Sequence, residues 1–120
     1  MYIDEIREFC LQLPYTSEKL PFDDKTLVFY VGNKMFCLTD IEDANSINVK
    51  CDPEKAIQLR EEYACVLPGY HMNKTHWNTI MLDGSVGPNR IKEWIQDSYN
   101  LVWHKIPLRT RQQILNPEKD

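Results

Sequence analysis

The chain has 120 residues, 42% of them hydrophobic and 27% charged, and a formal net charge of −4. That is the size of one domain able to bury its own core. It holds no apolar run near the roughly 20 residues that cross a bilayer, and a net negative balance argues against a generally basic nucleic-acid binder. The opening MYIDEIREFC lacks the basic-then-apolar order of a secretory signal, so a cytoplasmic location without membrane contact is expected. Cys10, Cys37, Cys51 and Cys65 form no Cys-x-x-Cys pair, which leaves out zinc-ribbon and thioredoxin motifs. In that compartment they are expected as free thiols, buried or half-buried.

In chain order, residues 2–13 read as a helix. Ile3, Ile6, Cys10 and Leu13 make one apolar stripe, Asp4, Glu5 and Glu8 lie near its start, and Pro14 stops it. YTSEKLPF (15–22) follows as a strand. LVFYVGNKMFCLT (27–39) then reads as a β-hairpin, with Leu27, Phe29 and Val31 on one face and Val28 and Tyr30 on the other. Gly32-Asn33 suits a two-residue type II′ turn, with glycine at the position of positive φ. The acidic loop DIEDAN leads to a strand at SINVK (46–50). A second helix opens at Asp52 as N-cap with Pro53 in the first position, buries Ala56, Leu59 and Tyr63, and ends near 64–66.

From Tyr70 to Leu82 the chain reads as extended. Trp77, Thr79 and Met81 take one face, and Asn78, Ile80 and Leu82 the other. Asp83-Gly84 is a turn. A third helix covers residues 86–106, with Ile91, Ile95, Ser98 and Val102 as its buried stripe and Pro107 after it. LRTRQQIL is a short last helix or turn, and residues 116–120 a frayed tail. Grouped strands favour one α+β domain, an antiparallel sheet of about five strands with helices on one face, in the order helix, three or four strands, helix, one or two strands, one or two helices.

Chemistry is sparse. There is no Gly-x-Gly-x-x-Gly, Walker loop or Gly-x-Ser-x-Gly. The pairs Asp23/Asp24, Glu42/Asp43 and Glu61/Glu62 fall in turns or on an exposed helix face. His71 and His76 are five apart, which puts them on opposite faces of a regular strand and not together on a metal. No catalytic residue, cofactor or metal is therefore assigned, and a non-enzyme is expected. A small-ligand or enzyme alternative would need His71, His76 and Tyr99 to converge between the sheet and the third helix.

Charge placement is more informative. Residues 1–60 hold seven Lys/Arg against eleven Asp/Glu, and residues 61–120 hold seven against seven. Within 71–111 there are six Lys/Arg against three acids. Lys74, His76 and Trp77 combine a cation, a hydrogen-bonding ring and a stacking ring. Lys34 and Lys50 flank the strands, and Arg109 and Arg111 follow the third helix. These types suit phosphate contact by strand wings. On the other reading, Trp77 is core and Lys50 and Lys74 are edge-strand lysines facing water, with His76 beside them.

The runs INVKCDPEKAIQLREEY, PGYHMNKTHWNTIMLDG and IQDSYNLVWHKIPLRTR resemble the MmcQ/YjbR family of small bacterial proteins. Matching positions are Lys50 with Asp52–Glu54, Gly69–Met72, Lys74, His76–Asn78, Ser98–Tyr99, Leu101–Val102 and Pro107 with Arg109 and Arg111. The resemblance spans nearly the whole chain, residues 1–120 as one domain. It implies a CyaY-like or secretion-chaperone-like α+β fold and binding of double-stranded DNA through strand wings, with Lys50, Lys74, His76, Arg109 and Arg111 near phosphates. The alternative it implies is a non-enzymatic adaptor that binds another protein, as monomer or homodimer. The acidic first half counts against the DNA role.

Overall fold

The computed structural model describes residues 1–69 and 72–117. Ten elements follow one another: α1 (Ile3–Gln12), β1 (Thr16–Lys19), β2 (Thr26–Val31), β3 (Lys34–Asp40), β4 (Ser46–Lys50), α2 (Pro53–Glu62), β5 (Val66–Pro68), β6 (Trp77–Met81), α3 (Pro88–Lys105) and α4 (Leu108–Leu115). The strands form one sheet in the order β1-β2-β3-β4-β6-β5. Every neighbouring pair is antiparallel. The α+β class holds, but the sheet has six strands and not about five. The extra one, β5, has three residues, too few for an alternation to register. It exists because Val66 and Leu67 pair with Ile80 and Thr79.

Local chemistry explains most boundaries. Glu5 accepts the Tyr2 N–H at 3.2 Å at the start of α1. Asp52 precedes α2 as expected, but its carboxylate makes no capping bond; its backbone carbonyl accepts the Ala56 N–H at 2.8 Å. The turn at 32–33 differs from the expected type II′. Gly32 (φ 56°) and Asn33 (φ 63°) are both left-handed, which is the type I′ pattern, and asparagine tolerates the second position. A side chain at Gly32 would also meet Ile106 Cδ1 at 2.5 Å, since the hairpin tip lies on the end of α3.

The expected strand from Tyr70 begins only at Trp77. Asn73 diverts the chain: its side chain accepts the Thr75 N–H at 2.9 Å, and its carbonyl accepts those of His76 and Trp77. Such a side-chain-closed turn competes with extended pairing. Tyr70, His71 and residues 118–120 lie outside the described residues.

The helices cover one face of the sheet. Ile6 and Cys10 of α1 and Ile91, Trp94, Ile95, Tyr99 and Val102 of α3 join Phe29, Val31, Phe36, Cys37, Ile47, Val49 and Ile80 in the main core. Asn78 ties β6 to α2 by donating to the Ala56 carbonyl. Tyr99 donates its hydroxyl to the Pro14 carbonyl at 2.6 Å, and Trp103 stacks on Tyr15, so α3 also clamps the α1–β1 junction. The opposite face carries a second, smaller cluster of Val28, Leu38 and Trp77, bordered by Tyr30, Met35 and Met72. Trp77 is buried as expected, at 7% exposure, but in this second cluster and not under the helices.

Candidate nucleic-acid interface

The site begins with one serine. β3 and β4 pair through Cys37–Val49, Leu38–Asn48 and Thr39–Ile47. Beyond Cys37 the ladder stops, because the register of β2 against β3 shifts there: Phe29 faces Cys37 and Tyr30 faces Met35, leaving Phe36 as an extra residue. Such a bulge bends the strand that carries it. Ser98 of α3, wholly buried, fills the resulting gap. Its hydroxyl donates to the Phe36 carbonyl at 2.6 Å and accepts the Lys50 N–H at 2.8 Å. A helix side chain thus replaces the next rung between two diverging strands.

The divergence separates two wings, the β2–β3 hairpin and the β4–β6 pair. Between them lies a cleft of about 420 Å³. Lys34 and Met35 line it from one wing, Lys50 and Trp77 from the other, and Val102, Lys105 and Ile106 from the end of α3. Among the described residues the ion pairs are Arg7–Glu18, Lys25–Glu42, Lys55–Asp97 and Arg90–Glu93, and none takes a lysine of the cleft. Burial pushes the Lys50 ammonium below its ordinary pKa, and repulsion from Lys105 and Lys34 adds to that. The segments that build the cleft, residues 30–39, 44–51 and 98–117, contain no Asp or Glu. An acidic protein therefore has one end where cations meet without compensation.

The YjbR family model matches residues 11–101. The chain belongs to the YjbR family. YbdF, an uncharacterised protein of Escherichia coli O157:H7, is 31% identical over 109 residues, covering 90% of this chain and 89% of YbdF. YjbR of Escherichia coli K12, also uncharacterised, is 28% identical over 116 residues, 96% of this chain and 98% of that one. The crystal structure of Deinococcus radiodurans DR2400, a DUF419 domain, superposes with a TM-score of 0.88 at 40% identity, covering 94% of this chain and 87% of that one. A Pseudomonas syringae protein superposes with a TM-score of 0.72 at 28% identity, over 84% of this chain and 98% of its own. None of these names carries an activity. The YjbR match takes in Lys34 and Lys50 and stops before Lys105, Arg109 and Arg111.

Of the residues singled out in the sequence, Lys50 lies in the YjbR cleft. Arg111 lies beside it, its Nε donating to the Ile106 carbonyl at 3.1 Å, and Arg109 is exposed on α4. Lys74 is exposed on the Asn73 turn, where its carbonyl accepts Arg60 of α2. His76 departs from the surface position expected beside Lys74. It is half-buried, its Nδ1 is enclosed without a hydrogen-bond partner, and its carbonyl accepts the Cys51 N–H at 2.7 Å. The turn that delays β6 tucks the ring inward. His71 lies outside the described residues. Tyr99, the third residue of the convergent alternative, has its hydroxyl committed to Pro14. Lys34, noted in the sequence as flanking the strands, and Lys105 complete the cleft, although neither was among the five residues placed near phosphates. The acid-free run from 98 to 117 was the available signal for Lys105; nothing in the sequence placed Lys34 opposite Lys50.

Proposed function

We propose that this YjbR protein binds double-stranded DNA by its phosphates, at the end of the molecule where the two wings separate. The observation behind it is the meeting of Lys34, Lys50 and Lys105 from three different elements with no acid lining the cleft. Arg109 and Arg111 on α4 extend the same end. Lysine and arginine read phosphate without reading sequence, so the contact set supports affinity and orientation and not base selection.

Three to five phosphate contacts give a salt slope of roughly −2.7 to −4.5, at about 0.9 per contact. Fluorescence anisotropy with a duplex checks this: three contacts predict about a 40-fold weaker affinity after a fourfold rise in salt. Absence of binding at low salt, or binding indifferent to salt, would overturn the reading. Lys50→Ala should lower the slope by about 1. Lys25→Ala, whose lysine pairs with Glu42 away from the cleft, should leave it unchanged.

A further inference from the structure

The cleft between the wings is built from two kinds of side chain. Lys34, Lys50 and Lys105 supply its charge, and Met35, Trp77 and Ile106 give it an apolar lining. The lysines have separate, fixed roots. Lys34 begins β3 opposite Val31 of the main core, which puts it on the helix side of the sheet. Lys50 ends β4, where its N–H is held by Ser98, and Lys105 ends α3. Helix C-termini disfavour anions, but two carbonyls of this one are already occupied. The Trp103 carbonyl accepts the Ile106 N–H and the Ile106 carbonyl accepts Arg111 Nε, each at 3.1 Å.

Size and charge narrow what fits. A cube of the cleft's volume, about 420 Å³, is about 7.5 Å on a side, narrower than the roughly 12 Å major groove of a duplex. A duplex therefore lies across the mouth, where each internal phosphate brings one charge and two free oxygens. Three cations sharing one cleft without an acid are undercompensated by that. A phosphate at the end of a chain differs. It carries close to two charges at neutral pH and has three acceptor oxygens, one for each lysine. It also projects from its sugar as a small group. The apolar lining excludes water, which strengthens the pairing, and receives the carbons of the sugar.

We propose that the cleft binds a terminal phosphate monoester, its three oxygens shared among Lys34, Lys50 and Lys105. The group has two sources, the end of a DNA strand and a free nucleotide, and the cleft chemistry is the same for both. The strand-end form rests on the DNA reading and turns it into a preference for ends; the free-nucleotide form does not need it. Binding should follow the second ionisation of the phosphate and strengthen as pH rises through about 6.

Fluorescence anisotropy with three forms of one duplex tests the strand end: terminal phosphates, terminal hydroxyls, and hairpin-closed ends with no terminus. The phosphorylated form should bind about fivefold tighter than the other two, the scale of one added charge-assisted contact at a part-exposed site. NMR titration tests the free group, with deoxyadenosine monophosphate against deoxyadenosine. The nucleotide should move the side-chain signals of Lys34, Lys50 and Lys105, and the nucleoside should not. Lys34→Ala/Lys105→Ala should abolish both preferences, with circular dichroism as the check on folding, and Lys105→Gln alone should reduce them. An end preference with a silent nucleotide assigns the cleft to strand ends. A responsive nucleotide without an end preference assigns it to free nucleotides, and if no duplex binds at all, only the DNA reading falls. Duplex bound alike in all three forms, with nucleotide and nucleoside equally silent, would overturn this proposal and leave the DNA reading standing. An effect of the terminal phosphate that persists in the double variant would also overturn it.

Discussion

Ser98 has the greatest structural leverage of any single side chain near the cleft. Its hydroxyl serves a carbonyl of one wing and an N–H of the other while fully buried. Ser98→Ala leaves the Phe36 carbonyl and the Lys50 N–H without that partner. The expected loss is about 1–3 kcal/mol, the scale of a buried unsatisfied backbone group, and urea unfolding measures it. Lys50 adds a pH dependence. Its folded-state pKa lies below the ordinary 10.5 of the unfolded chain, first through burial and then through Lys105 and Lys34. Between the two values the unfolded chain binds more protons, so the Lys50 contribution to stability rises with pH across that window and is constant below it. Phosphate binding favours the charged lysine, so duplex affinity should fall as pH climbs through the same window. Lys105→Gln should move the Lys50 titration back toward 10.5, seen by NMR of its side chain, and leave stability equal or higher by about 0.3 kcal/mol while weakening DNA binding.

Among the elements, the β2–β3 hairpin sets the shape of the cleft. Its type I′ tip rests on the end of α3, with Gly32 at φ 56° and the tip of the Ile106 side chain 2.5 Å from where a Cβ would stand, so that side chain would have to shift. Gly32→Ala adds a left-handed penalty of about 1–2 kcal/mol to that clash. Thermal unfolding should register it as a lowered midpoint, and the hairpin should lift from Ile106, widening the cleft. Helix α1 packs on the same face of the sheet as α3. Cys10 and Cys37, both fully buried, lie sulfur to sulfur between α1 and β3, and Cys10 together with burial holds the Cys37 thiol well above its ordinary pKa. Neither should react with an aromatic disulfide reagent in the folded protein, and both should react once denaturant is added. Fast labelling of either in native buffer would mean that α1 detaches locally.

For the whole molecule, segregated charge matters more than net charge. A formal −4 would suggest repulsion from DNA, yet no acid lines the cleft itself, and residues 30–39, 44–51 and 98–117 contain no Asp or Glu. Local potential at the approaching surface governs encounter, and distant charges are screened within about 10 Å at moderate salt.

The sequence alone determined the parts that depend on near neighbours. The stripe of Ile91, Ile95, Ser98 and Val102 in α3, the alternation in the hairpin, SINVK as a strand and the Pro53 start of α2 each rest on spacing within one element, and each stands in the structure. The family was legible for the same reason, since its motifs are short local runs. Tertiary structure decided what depends on residues far apart in the chain. Three-residue β5 exists only through its pairing with β6, and the inward turn of His76 follows from a bend at Asn73 that periodicity does not encode. Ser98 stood in the sequence as one small residue on a buried stripe. Its bonds to Phe36, 62 positions away, and to Lys50 bridge the two strands where they diverge, at the base of the cleft where Lys34, Lys50 and Lys105 meet. Spacing along a chain fixes which face a side chain takes, but only packing fixes which distant face it meets.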